Sequence, residues 1–275
     1  MFGSGERGDP SHHGRPATAL TRDQVDAALA VGGSRALPGA DLAGLDLQGV
    51  DLRNVDLRDA KLQGVDFRNA DLAGANLTGT RLCGANLSGA NLVGADLTDA
   101  NCLKTGADLD QHVVMREANL SDAVLLGCNF ARAELSGAVF DRAILREANL
   151  NMADLTGSSL QGANLDGANL RHARLSDANL SGADLSTADL CRATCVGARF
   201  ADARLDRANL TEADCQNADF TKADLKEADL ERADFRSAVL SEANLTNADM
   251  DEVRLDGVDL ATVDLTVASN FKPGR

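Results

Sequence analysis

The strongest constraint on this chain is a beat of five. From Ala40 the sequence reads ADLAG, LDLQG, VDLRN, VDLRD, AKLQG, VDFRN, ADLAG, ANLTG. With the large central residue taken as position i, centres fall at Leu42, Leu47, Leu52 and every fifth residue to Cys102, which makes 13 repeats. A second block runs unbroken from Met115 to Leu265, which makes 31. Of these 44 centres 33 are Leu, 6 Phe, 3 Cys and 2 Met, so the position is uniformly large and uncharged. Position i−2 is mostly Ala and i−1 mostly Asp or Asn. Positions i+1 and i+2 are polar, with Gly frequent at i+2.

A helix needs apolar residues every 3.6 positions and a strand every 2.0, so a strict period of five drifts on both templates. A repeating turn satisfies it. Residues i and i−2 point inward, separated by one outward residue as in a short extended segment. Positions i+1 and i+2 carry the chain round a corner, where Gly, Asn, Asp and Ser are suited. Four corners close a square, and successive coils stack by backbone hydrogen bonds at about 4.8 Å. The periodicity therefore predicts an all-β solenoid with Leu and Phe along its axis and Ala between them. The absence of Trp and Tyr fits a core this narrow, which has no place for large aromatic bulk.

These repeats resemble the pentapeptide repeat family, A(D/N)LXX, over about residues 38–267. The resemblance implies a right-handed quadrilateral β-helix. At four repeats per coil the chain would make about 11 coils, a rod ~53 Å long at ~4.8 Å per coil.

Stacked coils expose apolar faces and unpaired edges at both ends, so caps are expected. Residues 1–20, rich in Gly, Pro, Ser and His, read as a disordered N-terminal tail. Thr21 and Gln24 form a T-x-x-Q capping box with Leu20 and Val25 placed as its hydrophobic staple. This predicts a short helix over 22–31 within a capping segment 21–37, with Val25, Ala28 and Leu29 as its apolar stripe and Gly32 as its stop. Residues 268–275 form a C-terminal tail with Phe271 as its plug. Gyrase-directed members of the family dimerise through C-terminal helical segments, and this tail has no room for one, so a monomer and an end-to-end dimer both stay open. Between the blocks eight surplus residues, Thr105 to His112, form a loop insertion at one corner. It resembles the short loop that interrupts the quinolone-resistance subgroup, whose second, longer loop has no counterpart here.

The register also sorts the chemistry. Cys102, Cys195 and Cys215 at i and Cys128 at i−2 should face inward, and Cys83 and Cys191 at i+1 should face outward. Cys191 and Cys195 would then lie on opposite sides of the wall and share no zinc. His12, His13, His112 and His172 have no nucleophile beside them, and no acid, base and nucleophile group together, so no catalysis, metal or cofactor is expected. Asp and Asn at i−1 should hydrogen-bond the turn backbone. No framework spacing of the six Cys, no secretory signal and no long apolar run point to the cytoplasm.

Charge remains. The net charge is −15, and residues 38–267 alone carry −17. Sorted by side, the outward residues of the second block sum to −3 on each, so the charge is spread as it is round a duplex. One side changes from Arg132 and Arg171 near the insertion to Asp249, Asp251 and Glu252 at the far end. Such a rod suits a protein partner with a basic, duplex-shaped cleft. The resemblance implies a type II topoisomerase, DNA gyrase above all, met by DNA mimicry with no direct nucleic-acid or membrane contact. The candidate partner-binding residues are Thr105, Asp108, Asp110, Gln111 and His112 of the insertion and Asp249, Asp251 and Glu252. The alternative is a rigid protein–protein scaffold or regulatory adaptor with no topoisomerase role.

Overall fold

The computed structural model describes residues 19–30, 35–102 and 112–270. Most of the N-terminal tail, the Gly32 stop, residues 105–111 of the insertion and the Phe271 plug lie outside the described residues.

Repeats with Asp or Asn at i−1 build the same local structure. The side-chain oxygen at i−1 accepts the N–H of i+1, as Asn119 does from Ser121 and Asp154 does from Thr156, both at 3.1 Å. The N–H of the next i−2 residue then donates to the carbonyl of i, as Ala60 does to Leu57 at 3.0 Å. Within this turn φ is positive at i+2, +67° at Gly79 and +58° at Asp59, and not at i+1, which is the type II arrangement. The Gly, Asn and Asp so common at i+2 are the residues that tolerate it.

Four ladders of parallel bridges define four sides. Side A runs Asp46–Asp66–Asn86–Val114–Glu134, side B Asp51–Asp71–Asn91–Asn119, side C Asp56–Asn76–Asp96–Val124 and side D Asp41–Lys61–Arg81–Asn101–Asn129. The step along each ladder is 20 residues within a block and 28 across the insertion, as at Asn86 with Val114. The insertion thus falls between a rung of side D and a rung of side A, and after it the described wall resumes in register at a fully buried Val113. A loop of this kind adds length without disturbing the coil-to-coil bonds.

The core is one continuous axial column. Every centre from Leu42 to Met250 is buried, with the small i−2 residues of the second block, mostly Ala, closing the space between them. Phe200 and Phe220 on successive coils stack at 4.6 Å, and Phe235 tilts against Phe220 at 5.1 Å. Burying one Leu contributes roughly 1.5–3 kcal/mol, so stability accumulates coil by coil through neighbouring interfaces.

The N-terminal cap forms as the capping box predicts. Helix α1 spans Arg22–Ala30. Thr21 Oγ1 accepts from the Gln24 N–H at 3.3 Å, and Gln24 Oε1 accepts from the Thr21 N–H at 2.8 Å. Val25 is fully buried, and Leu20 and Leu29 pack beside it. Ala28 is exposed, contrary to the predicted stripe, because the contact with the first coil is only as wide as Val25 and Leu29.

Two further expectations need correction. Leu260 is 47% exposed and Leu255 and Leu265 only half-buried, so the last three repeats do not contribute buried centres. No described coil covers them, and the turns at Leu260 and Leu265 become short 3-10 segments, Leu260–Thr262 and Leu265–Val267, capped by Asp259 and Asp264. Cys83 and Cys191 are buried, not outward-facing. The i+1 side chains lie along the wall, where neighbouring coils cover small ones: Arg171, one coil before Cys191, reaches Asp189 in the coil of Cys191 at 3.1 Å.

Candidate functional site

The candidate surface is the outside of the rod, where the i−1, i+1 and i+2 side chains form longitudinal rows. Its electrostatics follow from the turns. An Asp at i−1 with an Arg two residues later, as in Asp56 with Arg58 and Asp66 with Arg68, forms a charge-assisted pair at the corner. The guanidinium hydrogen bond holds the carboxyls of Asp51, Asp56, Asp66 and Asp234 below the usual carboxylate range. Between coils, Arg142 does the same for Asp122 and Arg192 for Glu212, while Asp206 is lowered chiefly by the Ser186 hydroxyl. These groups stay ionised well into mild acid.

Of the predicted partner residues, Thr105, Asp108, Asp110 and Gln111 lie outside the described residues. His112 stands at the loop's return to side A. Its Nε2 lies 2.8 Å from Glu134 Oε1, and Arg116 pairs with the other oxygen of the same carboxylate. Asp249, Asp251 and Glu252 lie on side D at the far end. Asp249 accepts from the Asp251 N–H and from Asn270, and Glu252 pairs with Arg232 at 2.8 Å. His112, beside side A, and Asp249, Asp251 and Glu252 on side D do not form one site. From Asn101, the last rung before the insertion, the ladder Asn101–Asn129–Asn149–Asn169–Asp189–Asn209–Asp229–Asp249 takes seven steps, ~34 Å at the strand spacing. From Asn101 to Asn169 every rung of this ladder is Asn, and Asp enters at Asp189, Asp229 and Asp249, so this side grows more acidic toward the far end.

One outward feature was not singled out from the sequence. Position i−1 is polar throughout the two blocks except at Val114, Val124, Val139, Ile144 and Val239. The first four fall within the two coils that follow the insertion. Val124 and Ile144 are adjacent rungs of side C, and with Leu126 they make the outer wall apolar there. A search for departures at i−1, rather than for charged motifs, would have found it.

Among the described residues no group of three or more His, Cys, Asp or Glu side chains is arranged to hold a metal, and no helix is long and apolar enough to cross a membrane. A shallow, open depression between α1 and the first coils is lined by Asp26, Leu29, Ala30, Arg35, Val50 and Asp51, away from every predicted residue. The described surface can present charge and shape to a partner.

A family model described as pentapeptide repeats matches in 8 copies, beginning with 37–74 and 66–101 and resuming with 114–151 through 228–266. No curated protein sequence matches. Among solved structures, HetL, a pentapeptide repeat protein involved in heterocyst differentiation regulation from the cyanobacterium Nostoc, is 30% identical over 87% of this chain and 96% of its own, with a TM-score of 0.43. Rfr23 from the cyanobacterium Cyanothece is 23% identical over 63% and 85%, with a TM-score of 0.28. Full-length QnrB1, a plasmid-mediated fluoroquinolone resistance protein, is 22% identical over 84% and 93%, with a TM-score of 0.23.

Proposed function

Because this chain belongs to the pentapeptide repeat family, we propose that it is a non-enzymatic, DNA-mimicking ligand of a type II topoisomerase, DNA gyrase being the first partner to test. Bound there, it modulates the enzyme or shields it from inhibitors. The observation that carries this reading is the charge. Taken as a right-handed rod of about 11 coils, residues 38–267 hold −17 over ~53 Å. B-DNA of that length carries about 31 phosphate charges, so the rod has roughly half the duplex's linear density. The lowered carboxyl pKa values at Asp51, Asp56, Asp66 and Asp234 favour a polyanion that persists as pH falls. Evenly spread charge suits a saddle that grips a duplex from several directions and would speed encounter by steering. In this reading Thr105, Asp108, Asp110, Gln111 and His112 supply specificity, and Asp249, Asp251 and Glu252 lie at the distal end of the contact.

The test is DNA supercoiling and fluoroquinolone-induced cleavage by purified gyrase, with the protein at micromolar concentration and at roughly 50 and 200 mM salt. Inhibition of supercoiling or loss of poison-induced cleavage at low salt, fading at high salt, is expected. If both reactions are unchanged at low salt, the topoisomerase reading fails and the rod is better read as a rigid adaptor for another protein.

A further inference from the structure

On side C the run of polar rungs breaks for two coils. The ladder there reads Asp96–Val124–Ile144–Asn164. Leu126, two residues after Val124, is 39% exposed, and Ile144 is 40% exposed. Both are large aliphatic side chains in positions that elsewhere hold solvated or turn-capping groups. The choice of Val and Ile gives up something local. With no side-chain acceptor at i−1, the N–H groups of Leu126 and Arg146 lack the bond that Asp96 gives Thr98 at 2.9 Å one coil earlier. A solenoid has no core reason for this, because the axis is already filled by Leu125 and Leu145. An exposed aliphatic cluster on an otherwise polar wall is the usual mark of a contact surface.

The rim says what the contact is with. Asp96 lies one rung before Val124. Asp99 and Glu147 stand at the corner on either side of Gly127, since Asp99 donates its N–H to the Leu126 carbonyl and Glu147 follows Leu145 on the next coil. Asp166 lies beyond, within 3.5 Å of Arg146. Four carboxylates thus frame three aliphatic residues against one cation. The spacing is also telling: neighbouring rungs are ~4.8 Å apart and Val124 and Leu126 about 6.6 Å apart along an extended chain. Apolar residues on a helix face, three or four positions apart, are about 5–6 Å apart.

We propose that Val124, Leu126 and Ile144 form a docking surface for a basic amphipathic helix of a protein partner. The helix would set aliphatic residues on the patch and Lys or Arg side chains on Asp96, Asp99, Glu147 and Asp166. This contact is independent of the topoisomerase reading and stands or falls by itself.

The test uses the full chain and a synthetic 18-residue Leu/Lys amphipathic helix, with affinity read by fluorescence anisotropy at physiological salt. The variant V124N/L126S/I144N places at both i−1 rungs the residue that position commonly carries, so it keeps the fold, as its melting temperature would verify. Micromolar binding by the parent protein, at least tenfold weaker for the triple variant and unchanged for V239N, is the expected result. A Leu/Glu peptide of the same pattern should not bind. Equal binding by parent and triple variant would show charge attraction alone and overturn the proposal. So would no binding by the parent, or an equal loss in V239N, whose apolar rung lies elsewhere on the rod.

Discussion

Glu134 receives the ring of His112: Nε2–H donates to Oε1 at 2.8 Å, one coil beyond the point where the insertion rejoins the wall. Arg116 occupies the second oxygen of that carboxylate. A single acidic side chain therefore ties the loop's exit and the following turn to the next coil. Glu134→Ala should lower stability by no more than about 1 kcal/mol, since the pairs are half-exposed. Its sharper signature should be faster hydrogen exchange at the Val114 amide, which donates to Ala85. Unchanged exchange there would show that the backbone ladder holds the exit without help.

The column of centres predicts a graded response. Leu150 is fully buried. Leu150→Ala should cost about 2–5 kcal/mol, because its walls belong to bonded coils that cannot collapse into the space. Leu150→Asp should abolish the folded state, since an unpaired carboxylate would sit in a column with no donor. Urea titration measures the first and circular dichroism the second.

Backbone strain at the corners is testable at Met152. It has φ of +58°, is 44% exposed, and is a residue type poorly suited to the left-handed region. Met152→Gly should raise stability by up to about 1 kcal/mol, part of the relief being offset by the freer unfolded chain. A fall in the melting temperature would contradict a strained corner.

Burial makes the interior thiols inert. Desolvation pushes the Cys102 and Cys128 thiols up, and the neighbouring Cys195 thiol together with burial does so for Cys215. A neutral-pH thiol reagent should leave Cys102, Cys128, Cys195 and Cys215 unmodified in the native protein and label them all in guanidinium. Native labelling of any of the four, read by mass spectrometry, would show that the coils open locally.

The acid limb of stability has a defined sign. Asp56, Asp66, Asp122, Glu212 and Asp234 have folded values lowered by their Arg partners. A lowered carboxylate contributes stability above its unfolded value, and that contribution is lost as pH falls through the folded one. The melting temperature should therefore hold from neutrality to about pH 5 and decline below about pH 4. Each exposed pair adds little, so the decline should be shallow and weaker at high salt.

The five-residue beat by itself determined which side chains enter the axis, because a turn every five residues leaves i and i−2 no other direction. Its break marked the place of the insertion, and the local T-x-x-Q motif marked the capping box at Thr21 and Gln24. Only the tertiary structure decided what depends on coils 20 residues away. Cys83 and Cys191 are covered by neighbours the repeat pattern does not specify. Leu260 and Leu265 lose their inward role because no described coil covers them. Asp249 stands seven coil steps along side D from Asn101, the last rung before the insertion. Val124, Leu126 and Ile144 become one surface only when stacking brings adjacent coils into register. Local turn chemistry is written within five residues; exposure and adjacency are properties of the stack.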